Sequence, residues 1–125
     1  MDYNEALKQV RELFLYRLAK VVKDDAYLAN PKLPKEVYLD ALYTDIMALG
    51  YNFGDLDKAA EDSYEMKSAL WGKNYELKSQ NRMGVKETQR LYPKEINIFS
   101  NFHKLTQDGV GFKEAIATVK NLLDS

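Results

Sequence analysis

The chain has 125 residues, 46% of them hydrophobic and 30% charged, with a net charge of −1, which suits one globular domain able to bury a core without staples. It has no cysteine, which removes disulfides, thiolate metal sites and cysteine nucleophiles. No signal-like start, glycosylation sequon or apolar run near the roughly 20 residues of a bilayer span is present, so a cytoplasmic chain without membrane contact is expected.

Residues 3–23 predict an amphipathic helix, because Leu7, Val10, Phe14, Leu18 and Val21 recur at spacings of three and four. Asn30-Pro31 and Pro34 break that pattern and predict a loop, with Pro34 in the first turn of a second helix that runs to Leu49. Val37, Ala41, Leu42, Met47 and Leu49 supply its apolar positions, and Gly50 is expected to end it as a left-handed cap. Asp55 then opens a third helix, LDKAAEDSYEMKSALW, where its carboxylate can accept from free first-turn amides, and Gly72 closes it. Large aromatics dominate burial in small domains, so Trp71 at its end is expected to anchor the core. Between Asn74 and Leu91 the apolar helical period is lost. YELKS and TQRLY flank a polar stretch with Asn81 and Gly84, which predicts a two-stranded hairpin. Pro93 begins a fourth helix with Ile96, Phe99, Phe102 and Leu105 on one face. DGVG at 108–111 turns the chain, and a fifth helix brings Phe112, Ile116, Val119 and Leu123 together.

The net charge conceals an uneven distribution. Residues 1–65 hold 13 acidic and 8 basic side chains, whereas 73–104 hold seven basic and three acidic ones. The six cations Lys73, Lys78, Arg82, Lys86, Arg90 and Lys94 fall on or beside the predicted hairpin, where they could contact phosphates, with Asn81 and Gln89 available for groove-edge hydrogen bonds.

Arg90 and Tyr92 lead out of the hairpin, Glu95, Ile96, Phe99 and Leu105 lie on the next helix, and Gly109 turns into a last helix with Glu114, Ala115 and Val119. In this order, residues 73–123 resemble the wing and following helices of MerR-like winged helix-turn-helix domains. The resemblance implies a nucleic-acid-binding accessory or regulatory protein, of the kind found in phage, plasmid and chromosome-anchoring systems, that contacts DNA phosphates through a basic wing. The helix preceding the wing carries Glu61, Asp62 and Glu65, which repel a duplex bearing one charge per about 1.7 Å of axis. That acidity motivates a second expectation: a helical protein-interaction module, such as an antitoxin, immunity factor or phage-encoded inhibitor, that binds a partner protein through its acidic half.

Catalytic chemistry has little to stand on. His103 is the single histidine and sits between core-like Phe102 and Leu105, as a packing or surface residue does. Asp24-Asp25, Asp55-x-Asp57 and Glu61-Asp62 lack the spacing of a calcium loop, and Asp55 and Asp57 are explained by a helix start. Ser63, Ser68 and Ser100 lie in no nucleophile motif, and there is no glycine-rich phosphate loop. No enzyme, no metal and no cofactor is therefore expected. The predicted fold is mainly α, a single domain of about five helices with one β-hairpin: residues 1–50 form a helical pair and 51–125 a winged-helix-like part. A plain bundle in which 74–91 is a loop is the alternative. The apolar face of the first helix suits the core or a partner helix, so a homodimer stays open.

Overall fold

The computed structural model of the protein describes residues 1–22, 34–72 and 78–125. Among the described residues six helices follow one another: α1 (Tyr3–Val21), α2 (Lys35–Tyr51), α3 (Leu56–Trp71), α4 (Lys78–Leu91), α5 (Pro93–Gln107) and α6 (Phe112–Asp124). Their ends have local causes. Asp2 accepts from the Glu5 amide at 2.8 Å and Asp55 from the Lys58 amide at 3.1 Å, each satisfying a first-turn donor that the helix itself cannot. Pro93 sits in the first turn of α5, where its missing N–H costs nothing. Gly72 (φ 63°) and Gly109 (φ 87°) turn the chain out of α3 and α5 in the left-handed region that glycine enters without a Cβ clash. The predicted loop around Asn30-Pro31 lies outside the described residues, and so does the last residue of the expected first helix.

Helix α2 is the centre of the molecule. It packs against α1, α3, α4 and α5, while α6 closes over α1 and α5. Its residues are buried nearly all round, from Leu39 and Leu42 through Ile46 to Leu49, the pattern of a helix enclosed by others. One side of it joins an aromatic cluster in which Phe14 of α1 lies 5.6 Å from Tyr43 and 5.9 Å from Phe99 of α5, with Tyr51 meeting Phe99 edge-on at 5.1 Å. Such tilted and edge-on pairs add to the burial of the rings themselves. Trp71, expected in this core, is instead half-buried at the end of α3.

The β-hairpin expected over 74–91 is absent: residues 78–91 form helix α4, and 74–77 lie outside the described residues. The buried residues of α4 are Asn81, Val85 and Thr88, at spacings of four and three. The helical period is thus present, but polar residues occupy two of its three inward positions, so a search for apolar periodicity passes over it. With a helix in place of the ribbon, the winged-helix-like arrangement and the loop alternative for this segment both give way to a six-helix, all-helical fold among the described residues.

Gly50 is a second correction. It lies inside α2 rather than after it, and the left-handed turn falls at Phe53 (φ 49°) and Gly54 (φ 85°). Gly50 is needed for closeness: a Cβ there would stand 2.9 Å from Cδ1 and 3.0 Å from Cβ of Phe99, and its carbonyl accepts from Ser100 Oγ at 3.0 Å. Alanine would gain about 1 kcal/mol of helix propensity, but the clash engages Phe99 Cβ, which no rotamer change can move. Gly50→Ala should therefore lower stability by a net of about 1–2 kcal/mol, read from the denaturation midpoint.

Tyr43 is buried, and its hydroxyl has no hydrogen-bond partner among the described residues. Burial, the larger cause, together with the nearby Tyr3, pushes its ionisation well above the ordinary value of 10.0 against a smaller opposing pull from Arg11. A raised folded-state value means that the folded chain holds the proton more tightly, so stability is full below pH 10 and falls as pH rises beyond it, by about 1.4 kcal/mol per pH unit for this group. Tyr43→Phe should keep or slightly raise stability at neutral pH and flatten the alkaline fall, measured by urea unfolding across pH 8 to about 11.

Candidate functional site

Ala59, Ala60, Ser63 and Lys67 form the buried face of α3. Three of these side chains are small and the fourth is a lysine, an arrangement that needs a polar partner below it. Asp45, in the middle of α2, supplies that partner. Its Oδ1 accepts from Lys67 Nζ at 2.6 Å and from Ser63 Oγ at 2.6 Å, and its Oδ2 from Thr88 Oγ1 at 3.2 Å. Lys67 also donates to Asn81 Oδ1 at 2.9 Å, and Asn81 Nδ2 donates to the Ala60 carbonyl at 2.7 Å. The lysine and aspartate side chains are 4% and 7% exposed, so the pair sits in the protein interior. One network therefore ties α2, α3 and α4 together.

This network sets the opposed surfaces of α3 and α4. Arg82 pairs with Asp57, and Lys78 lies over the ring of Tyr64 at 5.5 Å, so the two helices run antiparallel past each other. Between them opens a cleft of about 420 Å³ with Ala60 in its lining, Asp57, Glu61, Tyr64 and Glu65 on one wall and Lys78 and Arg82 on the other. The acidic wall follows from spacing, since Asp57, Glu61 and Glu65 recur every four residues and share one helix face.

The predicted phosphate contacts separate into three groups. Lys78, Arg82, Lys86 and Arg90 recur every four residues along α4 and lie on its exposed side, so the structure brings these four together on a helix instead of a ribbon. Lys94 stands on α5 and donates to the Ser125 carbonyl at 2.7 Å. Lys73 lies outside the described residues. Of the groove-edge candidates, Asn81 is buried in the network and Gln89 donates to the Gly54 carbonyl at 3.1 Å. Beyond the cleft, Lys86 and Arg90 surround Met83, which is 72% exposed. Arg90 is hydrogen-bonded to Glu87, which holds that carboxyl below the usual carboxylate range and raises the guanidinium in turn.

Asp45 and Thr88 also border a small groove between α2 and α4, of about 170 Å³, with Tyr38, Leu42 and Leu91 around it. Burial, with a smaller contribution from Asp45, raises the Tyr38 hydroxyl above its ordinary value. His103 is half-buried and meets Tyr51 edge-on at 4.7 Å, in a packing role. Among the described residues no three His, Asp or Glu side chains gather as a metal site, and no helix is long and apolar enough to cross a membrane.

Sequence reasoning missed Asp45 and Lys67. The available signal is an acidic residue within the apolar run LYTDIMAL and a lysine in register with Ala59, Ala60 and Ser63. No family model, curated protein or solved structure matches this chain.

Removing one partner of a buried pair strands the other charge, at a cost of about 3–5 kcal/mol. Lys67→Met should cost about that much in chemical unfolding, whereas adding Asp45→Asn to it should recover part of the loss.

Proposed function

We propose that the chain acts by binding a partner protein at the α3–α4 face. The observation that carries this reading is the cleft between a carboxylate wall and a cation wall on helices cross-linked from below. Three carboxylates face two cations in it, so an evenly charged polyanion meets net repulsion there. A protein surface with both signs can pair with both walls, and its apolar side chains can cover the adjacent Met83, a residue type enriched at interfaces. Exposed pairs such as Arg82–Asp57 contribute little to stability and can exchange partners at small cost. The acidic wall belongs to the acidic half of the chain.

A second reading, nucleic-acid binding, is favoured by one specific observation: Lys78, Arg82, Lys86 and Arg90 recur every four residues on the exposed side of one helix. Phosphates would meet Lys86 and Arg90 beyond the cleft, away from Glu61 and Glu65, whereas Lys78 and Arg82 stand in the wall opposite those carboxylates.

The two are separated by paired charge reversals. In cross-linking capture from a lysate followed by mass spectrometry, the wild-type chain should retain a defined protein that Glu61→Lys/Glu65→Lys loses. In anisotropy titrations a labelled duplex at low salt should show no saturation up to about tens of micromolar. Retention unaffected by the reversal would overturn the protein reading. Tight duplex binding abolished by Lys86→Glu/Arg90→Glu would install the nucleic-acid reading in its place.

A further inference from the structure

On the other side of the bundle, α1 and α6 pack together and leave a groove of about 470 Å³ where both helices approach their C-terminal ends. Leu13, Tyr16, Arg17 and Lys20 form one wall, at the three- and four-residue steps that align side chains along a helix. Lys120, Leu123 and Asp124 form the other. None of the three cations is in an ion pair among the described residues, whose four pairs are Arg11–Asp40, Lys67–Asp45, Arg82–Asp57 and Arg90–Glu87.

Arg17 adds a more specific signal. Its Nε is buried and has no hydrogen-bond partner among the described residues, although a guanidinium N–H withdrawn from water ordinarily finds an acceptor. The neighbouring Lys20 holds its ammonium 4.1 Å over the ring of Tyr16, which is itself 66% exposed. The groove therefore offers a guanidinium edge, two ammonium groups and an exposed aromatic surface, and among the described residues that line it Asp124 is the one anion.

We propose that this groove binds an acidic peptide segment of a partner, one carboxylate seated against Arg17 and apolar side chains set against Tyr16 and Leu13. A carboxylate presents two coplanar oxygens that match two parallel N–H bonds of a guanidinium, and the part of Arg17 that lines the groove offers it that planar edge. Lys20 and Lys120 flank the position and attract further negative charge. The mixture of walls selects the class of ligand. A phosphate backbone carries charge at every step, is repelled by Asp124 and has little to lay against the tyrosine and leucine side chains. A peptide alternating acidic and aliphatic residues matches both features. This site is independent of the α3–α4 cleft and lies on different helices.

The test is an anisotropy titration of the full chain with a fluorescein-labelled peptide of alternating Glu and Leu. Its Gln-for-Glu counterpart and a single-stranded oligonucleotide of equal length serve as comparisons. Saturable binding is expected below about 1 mM, falling about tenfold or more in Arg17→Gln and in Lys120→Glu, and less in Arg17→Lys, which keeps charge but loses the planar edge. Amide shifts in a heteronuclear NMR titration of the wild-type chain should concentrate on α1 and α6, a readout that needs no variant to fold. Absence of saturation, equal binding of the Gln peptide, tighter binding of the oligonucleotide or shifts centred on α3 and α4 would each overturn the proposal.

Discussion

The Asp45–Lys67 ion pair constrains three helices at once. A carboxylate on α2 and an ammonium on α3 have both left water, and the attraction between them offsets their desolvation with the help of hydrogen bonds from Ser63 and Thr88 to the carboxylate and from the ammonium to Asn81. A helix can slide along an apolar neighbour at modest cost, but sliding α3 or α4 by one turn would separate these atoms and leave a charge unpaired in the interior. The register of α4 thus depends on polar groups, Asn81 and Thr88, as much as on Val85.

The aromatic cluster on the other side of α2 is held differently. Phe14, Tyr43, Tyr51, Phe99 and Phe102 bring α1, α2 and α5 together through area and ring geometry, without direction from charge. Its one strict demand is distance: α5 can lie where it does because Gly50 leaves room for the Phe99 ring. The hydroxyls of Tyr3 and Tyr51 hydrogen-bond to each other at its margin. One half of the bundle is therefore specified by pairing and the other by shape.

The surface chemistry follows from this frame. With α3 and α4 antiparallel and cross-linked from beneath, their carboxylate and cation rows must face each other across a cleft, so the acidic and basic halves of the sequence become two walls of one feature. The charge imbalance along the chain suggested a cationic ribbon. Among the described residues, Lys78 and Arg82 line the cleft, Lys86 and Arg90 lie beyond it on the same helix, and Lys94 reaches the Ser125 carbonyl. The basic groove between α1 and α6 is not visible as a cluster in sequence, because Arg17 and Lys20 lie about a hundred residues from Lys120.

Sequence alone determined the elements whose information is local. Apolar spacing marked α1, α5 and α6; Asp55, Gly72, Pro93 and Gly109 marked starts and turns, because caps and left-handed glycines act on their immediate neighbours. Tertiary structure decided everything that depends on a distant partner. Asn81 and Thr88 read as turn or strand residues until Lys67 and Asp45 stand opposite them, and Gly50 reads as a helix end until Phe99 rests on it. A polar residue facing inward is a defect by itself and a structural member only once its counterpart is in place, and that counterpart lies 14 residues away for Asn81 and 43 for Thr88.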